Sequence, residues 1–145
     1  VSTAKLLITA AGVFAAAAAL CVSPYWFTKP HGAGWERLPP VAIACSAAIG
    51  SLLWWLAVIR PGSTSSWRGA LTGLAVVVTA HVMTHYVMAV WAFAIGRTDS
   101  LGGEMPGPVE ALRGAFIFSA VSLALMPWTL LAGVVVGVVL VRQQR

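Results

Sequence analysis

Two ionisable side chains stand in the middle of a long uncharged run, His81 and His85 of Ala80-His81-Val82-Met83-Thr84-His85-Tyr86-Val87-Met88. At about 100° per residue, His81, Thr84, His85 and Met88 share one helical stripe, and Thr72, Thr79, Met83 and Tyr86 fall roughly opposite. An imidazole can hydrogen-bond, ligate a metal or carry a proton near neutral pH. Within an apolar span such groups face a bundle interior or an aqueous cavity, so the stripe is the candidate site.

Four chemistries compete for it. In the first, both rings are neutral and hydrogen-bond hydroxyls or carbonyls to hold helices together, because burial favours the uncharged ring. The second is a carrier or proton path, for which the apolar spans supply no Asp, Glu or Arg beside the histidines. The third is a haem, quinone or copper site. Histidines on one face of one helix cannot take opposite axial positions of one iron, so a haem would need a second ligand such as Met126. Copper could use His with Met83 or Met88, and a quinone needs one His and an aromatic wall. The fourth is hydrolysis by a Ser–His pair, but no Gly-x-Ser-x-Gly surrounds Ser119 or Ser122. The chain is read as leaning away from catalysis.

The elements that must position the stripe follow from composition. Of 145 residues, 59% are hydrophobic and 9% charged, and mean hydropathy is +0.88, all outside soluble globular usage. An all-α integral membrane protein is expected, a single domain over 1–145 folded as a four-transmembrane-helix bundle. The net charge of +5 arises without a Lys/Arg cluster, which argues against nucleic acid as a partner. Cys21 and Cys45 form no CxxC pair, and they read as small apolar helix residues.

The first span, about 6–22, is Ala-rich and follows Lys5. It has the ingredients of a signal peptide, yet Leu20 before Cys21 spoils a lipoprotein-type cleavage site, and a retained helix is expected. Its small side chains suit close packing. The outer loop 23–40 carries four prolines and four aromatics, Tyr25, Trp26, Phe27 and Trp35, which suit the membrane interface. His31 and Glu36 in that loop fall short of a metal ligand set.

Span two, about 41–59, has a small-residue ridge of Ala42, Ser46 and Gly50. An inner turn, 60–68, leads to span three, about 69–95, which opens with Gly69 and Gly73. The second outer loop, 96–113, holds three of the four acids, and Pro108 with Glu110 marks a helix start. Span four, about 114–141, contains Pro127, whose missing N–H frees the Leu123 carbonyl and predicts a kink. Gly133 and Gly137 in its inner half form a GxxxG pair, read as helix packing and not as a dimer signal.

Four spans put both termini on one side. With both inside, that face has five Lys/Arg and no acid, and the other has four Lys/Arg with all four acids. The cytoplasmic assignment of the termini rests on that margin and implies a multi-pass protein of the bacterial cytoplasmic (inner) membrane. Centring each span brings Thr129 to the level of His81, Ser122 near Met88, and Ser46 near His85. A polar layer of Ser46, Thr84, Ser122 and Thr129 around the histidines is the expectation, with Met88 and Met126 as further cofactor contacts. With so little mass outside the bilayer, the favoured role is a non-catalytic subunit or accessory factor of a larger membrane complex, or a small homo-oligomer. Its partners are then lipid and either other membrane subunits or its own copies. The alternative is a small carrier or redox-cofactor subunit built on His81 and His85.

Overall fold

A computed structural model describes residues 2–28, 37–94 and 107–144. Lys29, His31, Trp35, Glu36, Arg97, Asp99 and Glu104, and the side chains of Tyr25, Trp26 and Phe27, lie outside the described residues. The chain is all-helical: α1 (Thr3–Thr28), α2 (Leu38–Trp54) running into a π-helical turn (Trp55–Ile59), α3 (Ser66–Ala94), α4 (Pro108–Leu125) and α5 (Trp128–Gln143). Four segments are long and apolar enough to cross a membrane, Thr3–Pro24, Leu38–Ile59, Ser66–Ala92 and Pro108–Leu125, and α5 is a shorter apolar helix.

Two helix ends near prolines lie beyond the expected spans, the end of α1 and the start of α2. α1 continues through Pro24 to Thr28. Pro24 cannot donate to the Leu20 carbonyl, but the Ser23 hydroxyl does so at 2.8 Å, so that acceptor stays satisfied and the helix goes on. α2 starts at Leu38 with Pro39 and Pro40 in its first turn, where a missing N–H costs nothing. α4 starts at Pro108, and the Glu110 carboxylate reaches back to accept from the Gly107 N–H at 2.7 Å. Thus 23–28 and 38–40 of the first expected outer loop are helix, and in the second the helix begins at Pro108 as the sequence reading expects.

The expected kink in span four is a full break. α4 ends as Met126 leaves helical geometry (φ −128°, ψ 58°), and α5 starts afresh after Pro127. The break is stitched locally: the Met126 N–H donates to Ser122 O at 2.9 Å, and both the N–H and the hydroxyl of Thr129 donate to Met126 O, at 3.0 and 2.8 Å. These bonds satisfy groups that water cannot reach in an apolar bundle.

α3 is the hub. α2, α4 and α5 all pack on it, while α1 packs on α2 and on α5. α5 runs antiparallel along the first half of α3 and α4 along the second, since Gly69 meets Gly137, Gly73 meets Gly133, and His85 meets Phe118. At the glycine crossing the two backbones touch. A methyl built on Gly73 would land on the Gly133 carbonyl, and one built on Gly137 on the Gly69 carbonyl. Only glycine permits this approach, which substitutes close dispersion contact for a hydrophobic drive that lipid does not supply. Beside it lies the apolar core, including Ala10, Phe14, Trp54, Val58, Val76 and Leu140. The Phe14 ring sits edge-on to Trp54 at 6.1 Å, in the space left by Gly50.

The turn between α2 and α3 is tight. Gly62 takes φ +62°, a left-handed conformation that glycine adopts without strain, and the Arg60 guanidinium lies over the Trp55 ring at 6.0 Å. At the opposite end Arg37 lies over Trp91 at 5.2 Å, tying the start of α2 to the end of α3.

α4 buries Ala111, Ala115 and Ser119, a fourfold-spaced stripe, against α3. The Ser119 hydroxyl is buried without a hydrogen-bond partner among the described residues. Ser119→Ala should therefore stabilise the bundle by about 1 kcal/mol, since it deletes an unsatisfied group without opening a cavity. An unchanged or lower midpoint in an SDS unfolding titration would show that the hydroxyl is satisfied after all.

Candidate functional site

The bundle holds a cavity of about 210 Å³ whose walls come from all five helices. Each wall has a local origin. α1 gives Ala17 and Ala18, too short to fill the space, with Phe14 as the floor. α2 gives Ala42 and Ser46, two members of the ridge expected to pack tightly. α3 gives His81, Thr84 and His85, one turn apart on one face. α4 gives Phe118 and Ser122, and the break between α4 and α5 delivers Met126 and Thr129.

The candidate residues thus largely converge. His81, His85, Ser46, Thr84, Ser122, Thr129 and Met126 all line one cavity. Met88 does not, although it lies a further turn along the same helix. Gly50, Gly69, Gly73 and Gly137 lie outside it at helix contacts, whereas Gly133 borders it from below. Pro127 acts through the break that turns Met126 and Thr129 toward the cavity.

Hydrogen bonding gives three of the polar groups a definite character. One ring nitrogen of His81, Nδ1, lies 3.0 Å from the Val77 carbonyl. A carbonyl oxygen has no proton to give, so Nδ1 carries the hydrogen and donates it. The Thr84 hydroxyl donates to Ala80 O at 2.7 Å, and that of Thr129 to Met126 O at 2.8 Å. His85 makes no hydrogen bond to a described residue, and its ring lies 6.1 Å from that of Phe118, tilted by 32°. Phe118, Val121 and Leu125 border the cavity and are 62%, 52% and 70% exposed, so the α4 side is open to the surroundings of the bundle.

Among the described residues, no three His, Cys, Asp or Glu side chains come together as a metal site. Both cysteines are free thiols, and Cys21 borders the cavity. Residues that the sequence reading missed are the apolar ones: Phe14, Ala17, Ala18 and Phe118. The signal for the two alanines was visible, since a run of small residues opposite a polar stripe leaves either a tight contact or a hole. Only the rotation of α1 decides which.

No family model matches the chain, and no curated protein or solved structure gives a significant match.

Proposed function

We propose that this chain is a small non-catalytic subunit or helper of a bacterial cytoplasmic-membrane assembly, and that its own contribution is to hold a lipid-soluble amphiphile between its helices. The observation that carries the reading is the convergence of both membrane-depth histidines and four hydroxyls on one mostly apolar cavity. A tight structural core has no use for such a space, whereas a pocket with apolar walls and a few placed polar groups is the usual form of a small-molecule site. Opening beside Phe118, Val121 and Leu125 gives a ligand dissolved in the bilayer a path that avoids water. α4 and α5 together then make the fourth crossing, broken at ligand depth, and both termini lie on the cytoplasmic side. Discontinuous helices beside mid-membrane sites follow the same logic, since irregular backbone is tolerated where it borders a cavity.

A redox-metal site is the competing reading, favoured by Met126 sharing the cavity with His81 and His85. One preparation separates the two. Protein extracted in mild detergent would be examined by absorption spectroscopy, elemental analysis, native mass spectrometry and solvent extraction. A colourless, metal-free protein carrying about one equivalent of a lipid-soluble compound is the expected result. A Soret band or stoichiometric copper would replace it with the metal reading. An empty protein that also fails to take up added amphiphiles would reduce the polar layer to helix packing.

A further inference from the structure

The polar lining of the cavity is not neutral in its hydrogen-bonding sense. Three of its groups have their protons committed to the backbone of their own helices: His81 Nδ1–H to Val77 O, Thr84 Oγ1–H to Ala80 O and Thr129 Oγ1–H to Met126 O. What each can still offer a ligand is a lone pair: Nε2 of the neutral His81 ring, the hydroxyl oxygen of Thr129, and on the Thr84 oxygen the one lone pair that the neighbouring Cys45 thiol leaves free. Two of these come from adjacent turns of α3 and the third from the broken crossing on the other side. The remaining polar groups, Ser46, His85, Ser122 and the Cys21 thiol, can each donate or accept, so none offsets the bias.

We propose that the cavity selects for a ligand whose polar end is a hydrogen-bond donor, namely the hydroxyl of a lipid-soluble aromatic alcohol of the hydroquinone class. This rests on the reading of the cavity as an amphiphile site. A carbonyl-ended ligand of the same shape would set its lone pairs against three acceptors, and it would have only the four adaptable groups to turn to. A hydroxyl-ended ligand can donate to His81 Nε2 with its ring against Phe118 and its tail leaving past Leu125. The selection is one of binding and involves no electron transfer. Discrimination by an unpaired polar group is generally stronger than discrimination by shape, because each mismatch leaves a desolvated lone pair without a proton.

The test uses the full-length protein in lipid nanodiscs under anaerobic conditions. Three probes share one ring and one short alkyl tail: a hydroquinone, its dimethyl ether and the corresponding quinone. The hydroquinone should bind about tenfold more tightly than either of the others, the size expected for one or two neutral hydrogen bonds gained or lost. Thr129→Val keeps the shape of the side chain and removes its oxygen, and it should narrow the preference. His81→Phe should narrow it further while leaving the ether and the quinone little changed. If the three probes bind equally, or the quinone binds best, the donor rule is overturned and the amphiphile site stands. If none binds, the reading of the cavity as a ligand site falls with it. Loss of helicity in His81→Phe would not obscure the result, because the probe series on the unmodified protein decides it alone.

Discussion

Replacing Gly73 by alanine should lower the stability of the bundle by about 1–3 kcal/mol, and replacing it by leucine should prevent α3 and α5 from docking at all. The obstacle to the new methyl is the Gly133 carbonyl, which belongs to the backbone and cannot move by changing a rotamer. Relief requires the two helix axes to part, and with them every contact along the seam, including that between Gly69 and Gly137. The comparison that isolates this cause is Gly12→Ala or Gly114→Ala. Nothing lies within 4 Å of a methyl built at either position. There the better helix propensity of alanine should raise stability by about 0.5–1 kcal/mol, so the same chemical change carries opposite signs at the two kinds of site. SDS unfolding followed by circular dichroism reads all of these. A Gly73→Ala protein as stable as the parent would mean that the seam is not held at backbone contact.

The second large effect concerns the cavity. Ala18 lines it, whereas the exposed Ala16 does not. Ala18→Trp should cut affinity for any ligand of the cavity by at least about tenfold, or 1.4 kcal/mol, because the indole occupies the ligand's own space. Folding should survive, since about 210 Å³ is already open beside it. Ala16→Trp should bind as the parent does. The pair separates loss of space from loss of fold, and equal affinities in the two would place the ligand elsewhere on the protein.

What the sequence made legible depended on which signals are local. Four apolar stretches of spanning length could be read directly, because hydropathy needs no neighbour to interpret it. The glycine spacing on α3 and α5 was equally plain, since no other residue type could serve a backbone contact. The polar groups were identifiable as a set because each interrupts an otherwise apolar run. Helix ends were harder. The proline-rich stretch 23–40 reads as a loop, but α1 runs on through Pro24 because a single hydroxyl on Ser23 serves the carbonyl that proline cannot, a compensation that composition does not reveal. Pro127 was taken for a kink, but the chain breaks there because Met126 turns out of the helix to receive two hydrogen bonds from Thr129. Rotation was the least accessible. α3 is apolar on nearly every side, so hydropathy singles out no face, although the residues it buries, among them Gly69, Thr72, Gly73, Val76, Ala80 and Thr84, fall on one stripe. Met88 shares the histidines' stripe and stands apart from the cavity because it lies a turn further along α3.

The glycine seam also fixes an order of events during synthesis. The nearest neighbours of Gly69 and Gly73 are on α5, so the face of α3 that carries them lacks its partner until α5 is made. Sixty residues separate Gly73 from Gly133. At ~5–20 residues per second the ribosome needs roughly 3–12 s to bridge that gap. Throughout that interval a strip of bare backbone lies open along α3, able to accept any small-residue helix that drifts against it. The 16 residues of α5 are too few to span the hydrocarbon unaided, so they can close the strip only in series with α4. α5 is therefore the latch of the bundle, and the nascent protein is most open to a wrong neighbour just before it arrives.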